Sequence, residues 1–177
     1  MTKNVKLRVF TSDDKQLLFH LLQLYIYDLE GSGIRGIQID YETGIYSFPS
    51  FDSLFEVSSR VPIGIYLDAM PIGFALLYEP LAPGADYDIA EFFVKRAFRR
   101  RGVGSKAVAL LAGEYTGTFI VTALSENEAA VRFWQSAISK NVALSLEGGS
   151  PHYDPQFVDY KFSSQSHLDD TINADSH

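Results

Sequence analysis

The 177-residue chain contains no cysteine. That removes thiol nucleophiles, thiolate zinc sites, iron–sulfur clusters and disulfide staples together. Long apolar runs are missing too. The greasiest stretch, Leu17 to Tyr27, is broken by His20 and Gln23, and Met1 to Phe10 lacks the apolar core of a signal peptide. No membrane span or membrane partner is expected, and the cytoplasm is the expected compartment. No internal repeat and no second domain are visible. What is present, 46% hydrophobic and 14% aromatic residues, describes one globular domain. A chain of this length buries roughly 70% of its unfolded surface, enough to need no metal or cross-link. The expected domain is 1–163, with 164–177, polar and without an aromatic, as a disordered tail.

Positive charge is scarce except in one place. The net charge is −7, yet Lys95, Arg96, Arg99, Arg100, Arg101 and Lys106 put six cations and no anion into twelve residues. Residues 36 to 94 hold nine carboxylates against Arg60 alone. A nucleic-acid surface would extend the basic character along a helix or across a face, so no nucleic-acid partner is expected. One compact basic knot in an acidic protein suits one small polyanion, although a solvated basic turn would look the same from charge alone.

Lys6 to Phe10 alternate as a first strand, and Thr11 to Asp14 supply cap oxygens and first-turn acids for an amphipathic helix of about four turns, ending near Gly31 and Gly33. Residues 31 to 60, rich in Gly, Ser, Tyr and Asp, read as an irregular aromatic-lined segment with a weak helical hint at Phe51 to Val57. Ile63 to Leu67 and Ile72 to Tyr78, turning near Asp68-Ala69, form an antiparallel hairpin. Tyr87 to Val94 reads as a central strand, Val103 opens a helix, and Thr118 to Leu124 is a further strand. Ser125 to Glu128 predicts a capping box for a helix reaching about Ile138, and Phe157 to Phe162 a last strand.

After the buried strand, Arg99-Arg100-Arg101-Gly102-Val103-Gly104 opens a helix whose first N–H groups have no intrahelical partner. They form an anion cradle. The spacing is neither the dinucleotide fingerprint, since position 107 is Ala, nor a P-loop.

These residues resemble the GNAT superfamily of acyl-CoA-dependent N-acetyltransferases. Its first motif, a strand ending in Val followed by Arg-x-x-Gly-x-Gly, is written here from Val94 to Gly104. Its second, Asn-x-x-Ala-x-x-Phe-aromatic, is written as Asn127, Ala130, Phe133 and Trp134. The 63–78 hairpin is similar to the family's second and third strands. The resemblance implies an α/β (mixed α+β) fold with a central, mostly antiparallel twisted sheet of six to seven strands and helices on both faces.

It also implies the site. The strand 87–94 would be bulged and splayed, offering backbone amides near Phe93 and Val94, with Phe92, to the pantetheine arm and the thioester carbonyl. The loop Arg99, Arg100, Arg101, Gly102, Val103, Gly104 and Ser105 would hold the pyrophosphate of acetyl-CoA. Asn127 would bond the pantetheine, Ala130 and Trp134 would pack along it, and Phe133 would serve the core. Many members carry at position 134 a Tyr that protonates the departing thiolate. Indole cannot do this, so Tyr153, beside His152, or water is the expected substitute. Glu91 is the candidate base. Strand alternation puts it on the face of Phe93, with Asp88 on the other face.

The expected activity is acetyl transfer from acetyl-CoA to a primary amine of a small cationic molecule, by direct attack in a ternary complex, without a metal. A non-catalytic acyl-CoA-sensing module and a protein or peptide N-acetyltransferase are the alternatives. A homodimer is compatible with all three.

Overall fold

The computed structural model describes residues 4–80, 84–141, 144–152 and 154–164. In chain order the elements are β1 (Val5–Val9), α1 (Lys15–Glu30), β2 (Ile39–Asp40), β3 (Ile45–Tyr46), α2 (Ser53–Glu56), β4 (Arg60–Leu67), β5 (Met70–Tyr78), β6 (Tyr87–Val94), α3 (Val103–Glu114), β7 (Thr118–Leu124), α4 (Glu128–Ser139), β8 (Leu144–Pro151) and β9 (Phe157–Ser164). Seven strands form one sheet in the order β1-β4-β5-β6-β7-β9-β8, and β2 and β3 pair separately. Every neighbouring pair in the large sheet is antiparallel except β6 with β7, whose parallel run requires the crossover helix α3.

Helices cover both faces. Leu18, Leu21, Leu22 and Ile26 are buried at helical spacing, and Leu18, Leu21 and Leu22 pack with Leu54 of α2 onto Phe74, Leu76 and Phe93. On the opposite face, Val108 and Leu111 of α3 and Trp134 and Ile138 of α4 cover Ile89, Phe119, Val121 and Phe162. The start of α1 follows the expected chemistry. Asp14 accepts from the Thr11 amide at 3.0 Å and takes a two-pronged bond from Arg8 at 2.9 and 2.7 Å. Gln23, which interrupts the apolar stripe, makes a tertiary link instead. Its carboxamide accepts from Tyr46 N at 2.7 Å and donates to Tyr46 O at 3.0 Å, pinning the β2–β3 hairpin to α1.

Two expectations change. The helix expected from a Ser125 box is instead capped by Asn127, whose Oδ1 accepts from Ala130 N at 3.1 Å. Ser125 N is committed to Gln156 O at 2.7 Å, so that residue serves the neighbouring turn. The edge strand β8 is not foreshadowed by its residues, because Leu-Ser-Leu-Glu-Gly-Gly-Ser-Pro has no β-branched residue; it pairs with β9 through an irregularity between Leu146 and Gly148. Among the described residues no helix is long and apolar enough to cross a membrane. The expected disordered tail starts at 164, but Ser164 is the last residue of β9 and is buried; the remainder, 165–177, lies outside the described residues.

Candidate active site

β6 divides the site. Its register against β5 runs Leu76↔Glu91 and then Leu77↔Ile89, so Ala90 is an extra residue, a bulge. The bulge changes the parity of the strand. Ile89 packs under α3 and α4 while Phe93 packs under α1. Asp88 therefore shares the α1 face with Glu91, whose carboxyl it pushes upward electrostatically. Simple alternation puts Asp88 opposite, and the inserted Ala90 is the reason it is not.

β6 pairs with β7 only at Tyr87↔Phe119 and Asp88↔Ile120, and beyond that point the two strands part. Lys95 N donates to Ile72 O at 2.8 Å, so alternation along the antiparallel ladder turns the peptide groups of Phe93 toward β5 and those of Phe92 and Val94 toward the gap. The gap-facing amides are thus at Phe92 and Val94. Phe93 contributes its buried ring to the wall instead.

A cleft of about 1110 Å³ opens beside this gap, walled by the end of α1, the loop after β6, and α4. At its floor α3 begins without a side-chain cap. Gly102 is left-handed at φ 73°, and Lys106 N, bonded to Gly102 O at 3.0 Å, makes the first intrahelical bond. The amides before it keep no helical partner, which favours an anion. A Cβ added at Gly102 would meet nothing within 4 Å, leaving bare backbone facing open space. Gly104 is different: a Cβ there would lie 2.8 Å from the Phe133 ring, so its smallness sets the approach of α3 to α4.

The basic knot is divided. Arg100, itself left-handed at φ 62°, lines the cleft with Gly102, Gly104 and Ser105. Arg101 is exposed and lies outside the cleft wall, and Val103, the first residue of α3, is buried in the core with Ile72 and Val94. Arg99 is held by protein. Its Nε donates to Val94 O at 2.6 Å, its Nη2 pairs with Asp28 of α1, and its guanidinium lies over the Phe93 ring at 5.5 Å. Arg96 reaches the other oxygen of Asp28 at 2.6 Å. Asp28, in the last turn of α1, carries no sequence signal of this role, because nothing local ties residue 28 to residues 96 and 99.

Across the cleft stand Asn127, Ala130 and Trp134 of α4. The Asn127 oxygen is occupied by its capping bond, which leaves its amide nitrogen as the donor on this wall. Trp134 is 5% exposed and meets Phe92 edge-on at 5.3 Å. Phe133, expected to serve only the core, stacks on Phe92 at 5.5 Å and lines the cleft as well.

Glu91 is half-buried on the α1 face, where its Oε2 accepts from the Tyr25 hydroxyl. Burial, with Asp88 adding to it and Tyr25 opposing it, pushes the Glu91 carboxyl up to about 7. Burial, with the carboxylate beside it, pushes the Tyr25 phenol well above the usual range, so it stays the donor. Tyr25 lines the cleft, whereas Glu91 stands behind it. Tyr153 lies outside the described residues. His152 accepts from Asp154 N at 3.1 Å and packs on Phe157 at 5.4 Å, away from the cleft wall. No group of three metal-ligating side chains stands among the described residues.

The profile of the acetyltransferase (GNAT) family matches residues 32–137. Solved structures share the fold. An acetyltransferase from Thermus thermophilus is 16% identical with a TM-score of 0.67, over 89% of this chain and 96% of that one. An aminoglycoside acetyltransferase from an uncultured soil metagenomic sample is 16% identical with a TM-score of 0.58, over 84% and 93%. A spermidine N-acetyltransferase chimera from Vibrio cholerae is 10% identical with a TM-score of 0.57, over 93% and 98%. No curated protein is significantly similar in sequence. The family match, the bulged and splayed β6 and the uncapped start of α3 agree: the chain belongs to the acetyltransferase (GNAT) family and is an acyltransferase.

Proposed function

We propose that the protein transfers an acetyl group from acetyl-CoA to the primary amine of a small cationic molecule, by direct attack with both substrates bound. The observation that carries this reading is the construction of β6, which turns free amides to one side and a half-buried carboxyl to another.

The residues present fit acetyl-CoA. A pyrophosphate needs unpaired donors beside bare backbone, which the start of α3 offers at Gly102 to Ser105 with Arg100 alongside. A pantetheine arm needs a strand edge and an amide donor, available at Phe92, Val94 and Asn127. The bound cosubstrate supplies an activated acyl thioester. The chain's part is to orient that carbonyl through the Val94 amide, stabilise negative charge developing on its oxygen, exclude water with Phe92, Phe133 and Trp134, and move protons through Glu91. An oxyanion donor of this kind is worth on the order of 2.7–4 kcal/mol.

An amine enters as an ammonium and must lose a proton before its lone pair can attack. A carboxyl pushed up to about 7 is suited to accept that proton near neutral pH. The cationic acceptor is supported by the charge of the segment leading into the cleft: residues 36 to 94 carry nine carboxylates against one arginine, a field that attracts cations although only Phe92, Phe93 and Val94 of that segment line the cleft wall itself. Aminoglycoside and spermidine acetyltransferases of the same fold act on polycationic amines of this class. The test is release of free CoA from acetyl-CoA with a panel of amines at two salt concentrations, beside thermal stabilisation by acetyl-CoA alone. Turnover with polyamines or aminoglycosides, weakened by salt, is expected. Turnover restricted to anionic acceptors overturns the cationic assignment.

A further inference from the structure

Trp134 leaves the site without the usual donor for the departing sulfur, and the cleft wall holds one phenol among the described residues, that of Tyr25. The other hydroxyls there belong to serines, none of which is bonded to a carboxyl that could refill it, the Asp28 carboxylate is held by Arg96 and Arg99, and the Lys140 ammonium stands at the far, C-terminal end of α4. We propose that Tyr25 is a catalytic residue, the cleft-facing end of a two-residue proton path whose inner end is Glu91, and that it supplies the acid position 134 cannot. This rests on the acetyl-transfer reading and adds to it a residue, an element and a direction of proton flow.

The geometry supports a relay. The hydroxyl donates to Glu91 Oε2, and the ring is fixed edge-on to Phe74 at 5.7 Å and tilted against Phe93 at 5.8 Å. Glu91 itself does not reach the cleft wall, so protons exchanged between substrate and carboxyl have Tyr25 in their path. The surrounding charges are Asp88 on the same strand, Tyr78 on β5 with Arg60 of β4 over its ring, and Asp28 with Arg99 toward the cleft mouth. Asp88 and burial both resist a second negative charge here, which keeps one proton on the pair as a whole.

The proton count closes. An ammonium sheds two protons on becoming a neutral amide, as the C–N bond forms and the C–S bond breaks. One passes from nitrogen to the Tyr25 oxygen while the phenol's own proton moves to Glu91. When sulfur departs with its electron pair, the flow reverses: Tyr25 gives a proton to sulfur and is refilled from Glu91. The second proton goes to water, and the pair ends as it began.

Tyr25→Phe removes the hydroxyl and keeps the ring against Phe74 and Phe93. Two measurements test the relay. In the ligand-free protein, a carbon-detected NMR titration of Glu91 should move above its wild-type midpoint, because the donor that opposes burial is gone. In turnover, an aryl thioester whose thiol is a strong acid needs no proton to depart. The substitution should therefore lower kcat/KM with acetyl-CoA at least tenfold more than with the aryl thioester. A purely structural role would slow both alike. Equal loss with the two thioesters, or an unchanged Glu91 titration, overturns the relay. The wild-type rate with amines tests the acetyl-transfer reading separately, since the relay is judged on ratios and on a protein without ligand.

Discussion

The two walls of the cleft are built by different rules. The wall assigned to the cosubstrate comes from two segments within thirty-six residues, Arg99 to Ser105 and Asn127 to Trp134, and works through backbone amides and small residues. The opposite wall joins Tyr25 to Glu91 across 66 positions and Asp28 to Arg99 across 71, and works through side chains. A helix start offers its donors wherever the local sequence lets it form. A buried acid pair exists only after α1 has docked on the sheet. The first wall is written as a motif, and the second is written as a fold.

The sharpest way to separate the walls is Glu91→Gln, which keeps the shape of the side chain and removes the proposed base. At pH 7 kcat should fall by roughly 10²–10⁴-fold, the loss shrinking as pH approaches the amine's own pKa. Calorimetric affinity for CoA should be unchanged. Wild-type kcat across pH 6–9 would remove Glu91 from the chemistry, and a matching fall in CoA affinity would show that the walls are not independent.

Gly104→Val attacks the other wall. The new side chain must displace the Phe133 ring, which stacks on Phe92, so both the α3–α4 contact and the cleft surface change. Overpacking of this kind costs about 1–3 kcal/mol, and CoA affinity should drop by about tenfold or more. Gly102→Ala is the companion. It meets no neighbour within 4 Å but sits at φ 73°, so it should cost about 1 kcal/mol of stability through backbone strain. Melting temperatures and CoA titrations of the two variants distinguish crowding from strain.

Legibility in the sequence follows the same division. The strand from Tyr87 to Val94 and the strand from Thr118 to Leu124 have the bounds their apolar and β-branched runs predict, and the Gly-x-Gly helix start is where the motif puts it. Glu91 is legible as a carboxyl on a mostly apolar strand. Its partner is not, since Tyr25 reads only as one more residue of an amphipathic helix. The family resemblance implies a bulge in this strand, but no Gly or Pro marks its position at Ala90, so the shared face of Asp88 and Glu91 cannot be read from the sequence. Ser125 and Asn127 can both cap a helix, and tertiary bonding to Gln156 decides in favour of Asn127. Arg99 reads as a phosphate ligand from its local motif, while its bond to Asp28 depends on α1.

The acid wall also sets a pH dependence of stability. Folding raises Glu91 from 4.5 to about 7, so the folded state binds a proton that the unfolded state has released between those values. The sign is therefore a loss of stability as pH rises from about 4.5 through 7, and Asp88, also raised by burial, acts in the same direction. After solvent screening the effect is on the order of 1–2 kcal/mol, a few degrees in melting temperature for a chain of this size. Glu91→Gln should flatten that slope and be the more stable protein at pH 8. A wild-type melting temperature that does not fall between pH 5.5 and 8 would contradict the raised carboxyl.

The smallest effect belongs to Asp28, whose ion pairs join the two walls. Asp28 is 14% exposed and pairs with Arg96 and Arg99, whose side chains are 69% and 41% exposed. Pairs this open contribute about 0.2–1 kcal/mol, so Asp28→Asn should lower the melting temperature only slightly. Its informative readout is CoA binding. If Asp28 competes with the cosubstrate for Arg99, the variant should bind CoA about two- to fivefold more tightly and with a steeper salt dependence, while Arg99→Ala should bind it more weakly. Weaker binding in Asp28→Asn would mean the reverse: that the α1 carboxylate holds Arg99 in the orientation an anion needs, making the second wall a support of the first.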